Sequence, residues 1–203
     1  MAPLPRLRDD AAMTNLAYTL FDTALGFCGI VWNERAIAGI QLPGSDAHAT
    51  RARLLKRFPE AVESQPPPVV ADAIARMTAL LDGEKASLNG IAIDIAHLPA
   101  FNRKVYAVAC MIPPGGTMTY GEIATRLGDP KAARAVGQAL GENPVPLIVP
   151  CHRVLAANGK TGGFSASGGV VTKLKLLTIE GAQPGGPTLF ENLPLAAGPR
   201  RSV

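Results

Sequence analysis

The sequence predicts a mixed α/β (α+β) protein with a strand-rich first half and a mainly helical second half. Three observations carry this: apolar alternation over residues 16–42, a change from strand-like to helical periodicity just after residue 100, and cap and proline signals that cut the second half into short helices. A chain of 203 residues suffices for one large or two small domains and buries a core without disulfides. With 47% hydrophobic and 18% charged residues, disordered, collagen-like and coiled-coil classes are excluded.

Residues 16–42 read as two or three strands of an antiparallel meander, broken at Gly26 and at Asn33-Glu34-Arg35, with Phe27 and Trp32 in the core. Asp46 can cap a helix running to Phe58, with Leu54, Leu55 and Phe58 on one face. A second helix fits Val69 to Leu81 after the Pro66-Pro67-Pro68 break, and a further strand fits Ile91 to Ile95. His97 to Ala100 reads as a linker, so the expected domains are 1–97 and 98–181, followed by an irregular tail over 182–203.

Phe101, Val105, Val108 and Ala109 recur at helical spacing until Pro113-Pro114 ends that helix. Thr119 with Glu122 matches a capping box, opening a helix through Leu127 with Ile123 and Leu127 inward. Gly128-Asp129-Pro130 is a tight turn, and a helix over Lys131 to Gly141 follows. Two short helices joined by a Gly-containing turn form a helix-turn-helix candidate, although plain helix packing gives the same pattern. The run NPVPLIVP (Asn143 to Pro150) is too proline-rich for a helix and is expected to be extended and buried. A last helix covers Lys173 to Glu180, with Val170, Leu174 and Leu177 inward.

Charge is unevenly spread. Residues 1–99 carry 9 basic and 11 acidic side chains, whereas 100–181 carry 9 and 4, an excess that becomes a polyanion-binding argument only with a supporting motif. No apolar run reaches the length of a membrane span, and Arg6, Arg8, Asp9 and Asp10 are not followed by a signal-like segment, so a soluble cytoplasmic protein without a membrane partner is expected. Cys28, Cys110 and Cys151 are an odd set without CxxC spacing, which suggests neither a disulfide framework nor a thiolate metal site.

Cys151 stands apart. It follows a rigid proline-flanked segment, His152 is adjacent, and Glu180 ends the following helix. An imidazole that accepts the thiol proton and is oriented by a carboxylate makes the nucleophilic thiolate available near neutral pH. Cys28 and Cys110 read instead as small buried hydrophobes. A thiol hydrolase would need a separate base and oxyanion donors, which the sequence does not supply.

The strings TYGEIA (Thr119 to Ala124), PKAARAVG (Pro130 to Gly137), NPVP (Asn143 to Pro146) and IVPCHRV (Ile148 to Val154) together resemble the O6-alkylguanine-DNA alkyltransferases, also called methylated-DNA–protein-cysteine methyltransferases. Four motifs in the same order are far more specific than any one of them. The resemblance covers about Phe101 to Gly181. It implies a ribonuclease-H-like N-terminal domain with a small antiparallel sheet and helices, then a helical domain with a winged-helix-like helix-turn-helix. It implies repair of O6-alkylguanine in double-stranded DNA, with O4-alkylthymine a further candidate, by irreversible single-turnover transfer of the alkyl group to Cys151.

Residue by residue, the resemblance makes Cys151 the acceptor, His152 and Glu180 its activating chain, and Tyr120 a proton donor to the leaving base. Arg134 matches the finger that fills the stack vacated by the flipped base. Thr119, Lys131, Ala132, Ala133 and Arg134 would face DNA, the alanines letting the helix approach the minor groove closely. Asn143, Pro146, Val154, Gly163, Phe164 and Ser165 would form the base pocket and its lid. Phe164 stands where many members have tyrosine, and Tyr106 where many have tryptophan. The loop after Ser165 is about two residues longer than in shorter members. Cys28, His48 and His97 are spaced unhelpfully for a metal, so neither metal nor cofactor is expected, and the protein is expected to be a monomer. The alternative is a non-enzymatic lesion sensor or DNA-binding regulator using the same helix-turn-helix; alkyltransferase-like proteins of that kind replace the cysteine that is present here.

Overall fold

In the computed structural model, which describes residues 15–182, the alternating segment forms three antiparallel strands: β1 (Ala17–Phe21), β2 (Cys28–Trp32) and β3 (Ile37–Gln41). Tyr18 pairs with Val31 and Ile30 with Ile40, and β4 (Val62–Glu63) adds parallel to β1, giving the order β3-β2-β1-β4. Side chains of a strand alternate between faces, so β2 feeds two cores. Cys28, Ile30 and Trp32 join the main core, while Val31 joins Leu16, Tyr18 and Leu54 on the opposite face.

Helix α1 (Ala47–Arg57) covers that second face. Asp46 caps it by accepting from the Ala49 amide at 2.7 Å. The helix sits close because glycine lies beneath it: a Cβ on Gly29 would collide with Leu54, and one on Gly39 with the Phe58 ring. Helix α2 (Pro68–Leu81) starts on a proline, whose missing N–H costs nothing in a first turn, and buries Val70, Ala73 and Met77 in the main core.

Two expectations for this half are corrected. Phe27 is 43% exposed, because the turn through Gly26 (φ +110°) leaves it ahead of β2. Residues 91–95 keep their alternation, with Ile91, Ile93 and Ile95 buried, but form an isolated bridge and not a strand. The outer edge of β3 is shared: Ile37 exchanges hydrogen bonds with Ala92 O and the Asp94 amide, while the Ile40 amide donates to Pro144 O at 2.9 Å.

The second half comprises α3 (Ala100–Ala109), β5 (Met118–Thr119), α4 (Tyr120–Arg126), α5 (Ala133–Gly141), β6 (Val154–Leu155) and α6 (Gly169–Ile179). The capping box forms as expected: the Glu122 amide donates to Thr119 Oγ1 at 3.1 Å and the Thr119 amide to Glu122 Oε2 at 2.6 Å. The helix expected from Lys131 opens instead as a 3-10 turn over Pro130–Ala132, because Asp129 draws in the Lys131 amide at 3.1 Å. Tyr106 is buried, and its hydroxyl donates to Ala139 O at 2.8 Å, fixing α3 to α5. Met118 and Thr119 of β5 pair in parallel with Val154 and Leu155 of β6, which sets the start of α4 beside the segment that follows Cys151.

Helix α6 corrects a further expectation: Val170 is 39% exposed and Leu174 only half-buried, while Lys173, Leu176 and Leu177 face inward. The two N-terminal glycines, Gly168 and Gly169, both take positive φ and start the helix earlier, in a different phase from the expected one. No helix among the described residues is long and apolar enough to cross a membrane. The expected tail over 182–203 lies, from residue 183 on, outside the described residues.

Candidate active site

The segment ahead of Cys151 contains Pro144, Pro146 and Pro150, which have no N–H to offer, so its hydrogen bonding falls to a side chain. Asn143 supplies it: Nδ2 donates to Val149 O at 2.8 Å and Oδ1 accepts from the Val145 amide at 3.0 Å. The run is buried as expected, but it is looped and not extended. The Val149 amide closes on Val145 O at 3.0 Å, and Leu147 takes a left-handed conformation at φ +75°. A non-glycine residue pays about 1–2 kcal/mol for that conformation, so the surroundings must hold it. Pro144 O accepts from both the Ile40 amide and Arg57 Nη2, at 2.9 and 3.3 Å, clamping the loop to the sheet.

Cys151 opens a 3-10 turn (Cys151–Arg153) and is 8% exposed. It lines a cavity of about 600 Å3 together with Asn143, Pro146, Phe164 and Ser165. Burial pushes its thiol pKa up; Asn143, the Lys173 charge and the amides of Cys151 and His152 oppose that without cancelling it.

His152 is fully buried, with Nε2 3.0 Å from Glu180 Oε1. The carboxylate only accepts, so Nε2 carries the hydrogen and Nδ1 keeps its lone pair. Nδ1 is buried without a hydrogen-bond partner among the described residues. Burial pushes the imidazole pKa down against the opposing pull of Glu180, which leaves a neutral ring able to take a proton. For Glu180, burial alone raises the pKa, but hydrogen bonds and charge from His152 and Arg153 outweigh it and hold the carboxyl at about 2.

Tyr120 is the first residue of α4 and packs against Gly162, where a Cβ would come within 2.9 Å of its hydroxyl. Burial, and then the charge of Cys151, push its pKa up, so it remains a hydroxyl donor. Phe164 is half-buried against the main core, and Ser165 Oγ donates to Gly141 O at 2.9 Å, pinning the loop to the end of α5. Val154 is fully buried behind the turn and Gly163 is exposed on the loop; neither lines the cavity. On the outer face Lys131 and Arg134 are exposed and Ala132 and Ala133 half-buried, while the Thr119 side chain is committed to its capping box.

Two residues escaped the sequence reading. Arg153 sits beside His152 and closes on the same Glu180, and its Nη1 donates to Ile112 O at 2.6 Å. Lys173 is fully buried, donating to Val154 O at 2.5 Å and Thr161 O at 2.6 Å, with Nζ 5.8 Å from the Tyr120 ring centroid. Burial drags its pKa to about 8 against the opposing charge of Cys151. The available signal was its spacing: positions 173, 176, 177 and 180 share one helical face, and a lysine stands among the leucines. Together these groups set a buried thiol and a neutral imidazole on adjacent residues, the thiol opening on a cavity large enough for a planar base.

The chain is similar to known proteins. Residues 100–182 match the family model described as 6-O-methylguanine DNA methyltransferase, DNA binding domain. The methylated-DNA–protein-cysteine methyltransferase of Mus musculus is 32% identical over 186 residues, covering 87% of each chain. That of Mycobacterium tuberculosis (strain ATCC 25618 / H37Rv) is 36% identical over 162 residues, 78% of this chain and 96% of the relative. Among solved structures, Mycobacterium tuberculosis OGT in complex with DNA superposes with a TM-score of 0.67 at 30% identity, over 81% of this chain and 92% of that one. The O6-methylguanine-DNA methyltransferase of Pyrococcus kodakaraensis strain KOD1 gives 0.59 at 26% identity, over 82% and 99%.

Proposed function

The chain belongs to the methylated-DNA–protein-cysteine methyltransferase family, and we propose that Cys151 is its alkyl acceptor and that the residues around it divide the work of transfer. The protein repairs DNA by moving the alkyl group from O6 of guanine to its own cysteine. The observation that carries the assignment is the buried His152, next to Cys151 in the chain: Glu180 fixes its Nε2, and its Nδ1 is left without a hydrogen-bond partner among the described residues.

The thiol proton passes to His152 Nδ1, by way of a water, and Glu180 stabilises the imidazolium that results. The sulfur then forms a bond to the alkyl carbon as the carbon–O6 bond breaks, and guanine leaves with the electron pair. Tyr120 donates a hydrogen bond to ring nitrogen N3 of that leaving base; its raised pKa keeps the hydroxyl protonated in that role. The thioether product has no activated water to cleave it, so each molecule acts once.

A stacked base is out of reach of Cys151, and extruding it costs a few kcal/mol. We assign Arg134, exposed at the start of α5, to the vacated stack, with Lys131 on phosphate and Ala132 and Ala133 allowing close approach. Asn143 and Pro146 form one wall of the base pocket, and Phe164 and Ser165 the other wall and its lid. The strand order β3-β2-β1-β4, with β4 parallel to β1, supports a ribonuclease-H-like unit over 1–97. Helices α4 and α5 with the β5–β6 pair support a winged-helix-like unit over 98–181. The sensor alternative finds no support, since the acceptor position carries a cysteine.

Intact-mass measurement after incubation with a duplex containing O6-methylguanine is expected to show one added methyl group, mapped by peptide digestion to Cys151. Cys151→Ala should lose it and keep affinity for the alkylated duplex. Methylation of Cys28 or Cys110 instead defeats the assignment.

A further inference from the structure

The cavity that Cys151, Pro146 and Phe164 line is also lined from the N-terminal half, by Arg53, Lys56 and Arg57 of α1. Arg57 is committed to carbonyls, with Nη1 3.1 Å from Ile40 O and Nη2 3.3 Å from Pro144 O. Arg53 and Lys56 are exposed and have no hydrogen-bond or ion-pair partner among the described residues. The acidic residue of the same wall, Glu142, already accepts from Asn102 Nδ2 at 2.9 Å.

This concentration is local. The first 99 residues carry more acidic than basic side chains, yet α1 carries Arg51, Arg53, Lys56 and Arg57 and no acid. Arg51 faces elsewhere and pairs with Glu63 at 2.8 Å. Two cations are therefore left on the wall of the cavity that the nucleophile also lines.

Resting on Cys151 as the acceptor, we infer that Arg53 and Lys56 form a subsite for the far end of long, negatively charged O6 substituents, so that the protein favours carboxylate-bearing adducts over neutral ones of the same shape. The transfer is unchanged: sulfur bonds to the carbon attached to O6, that carbon–oxygen bond breaks, and guanine leaves with the electron pair and a proton. The carboxylate stays on the transferred chain and remains beside the two cations in the thioether product. A short group such as methyl does not reach them. Opposite charges lower the energy of the bound adduct, and exposure with salt screening keeps the effect modest.

The test uses single-turnover rates of the full chain on three duplexes, identical except for O6-methylguanine, O6-carboxypropylguanine or its neutral carboxamide counterpart. The wild-type protein should transfer the carboxylate about fivefold faster than the carboxamide at low salt, with the ratio falling toward one as salt rises. Arg53→Glu with Lys56→Glu should invert the ratio, each rate normalised to the same variant's rate on O6-methylguanine; Arg53→Gln and Lys56→Gln alone should each reduce it. A wild-type ratio of one at low salt overturns the subsite, as does a ratio that survives the double charge reversal. If the double variant loses rate and affinity equally on all three duplexes, the cations hold DNA phosphates and the subsite is equally overturned. Absence of any alkyl on Cys151 with O6-methylguanine is a separate result, and it removes the functional assignment itself.

Discussion

Arg153 grips both carboxylate oxygens of Glu180, with Nε 2.8 Å from Oε2 and Nη2 2.7 Å from Oε1, and that second oxygen also receives His152 Nε2 at 3.0 Å. One carboxylate thus neutralises a fixed guanidinium and sets the tautomer of the ring beside Cys151. Fold and chemistry share it.

Glu180→Gln is therefore expected to act twice. Removing one partner of a buried bidentate pair costs about 3–5 kcal/mol of stability, measured by denaturant unfolding. Transfer to free O6-benzylguanine should also slow by about 10²-fold, the lower range for a positioned base. The pH dependence has a definite sign. Glu180 titrates near 2 when folded against an ordinary 4.5, so its stabilisation is complete above 4.5 and is lost as pH falls toward 2; the variant should lack that component. Parental transfer rates in a folded variant at neutral pH would remove Glu180 from the activating chain.

Arg57→Met should loosen the loop that carries Asn143 and Pro146, because Ile40 O and Pro144 O lose their guanidinium donor. The expected loss is about 1–3 kcal/mol, with slower transfer on duplex and free base alike and unchanged affinity for undamaged DNA. Arg57→Lys should restore little, since an ammonium lacks the planar fork that spans two carbonyls. Full recovery by lysine would show that charge alone matters at this position.

What the sequence revealed was mostly local. The Asp46 cap and the Thr119–Glu122 box involve residues three positions apart, and both form as read. The pairing of His152 with Glu180 is equally legible, because an imidazole and a carboxylate are natural hydrogen-bond partners, and that bond forms. Non-local competition hid the rest. Residues 91–95 alternate like a strand but share the β3 edge with Pro144, a partner 50 residues away in sequence. NPVPLIVP reads as extended until the Asn143 side chain, reaching Val149 O, folds it into a loop. Lys173 is not legible as a buried residue, because the carbonyls of Val154 and Thr161 that satisfy its ammonium converge on it only in the fold.

Arg134→Ala should impair repair of duplex DNA far more than reaction with free O6-benzylguanine, since only the duplex has a base to extrude and a gap to fill. Arg134 is exposed at the start of α5, and no hydrogen bond or ion pair ties it to the fold among the described residues. Stability should therefore change by no more than about 0.5 kcal/mol. Binding to undamaged duplex should weaken as salt rises, and Lys131→Ala should flatten that slope by about one unit. Equal rate losses on both substrates would make Arg134 a structural residue.

Lys173 gives the last prediction, on the alkaline side. Folded, it releases its proton at about 8; unfolded, it holds the proton to an ordinary 10.5. Between those values the unfolded chain binds more protons, so stability should rise with pH from about 8. Above 9 the buried Cys28 and the half-buried Cys110 act in reverse: they are pushed to about 12 and 11, so unfolded thiols ionise first and stability falls. A maximum near pH 9 is expected in urea unfolding. Lys173→Met fills similar space without charge, so it should abolish the rise below pH 9 while keeping the fall above it. The same variant removes a cation that lowers the Cys151 pKa. The pH midpoint for its reaction with O6-benzylguanine should then move upward. A Lys173→Met protein with the parental midpoint and the parental rise in stability would show that this ammonium neither titrates in the window nor reaches the thiol.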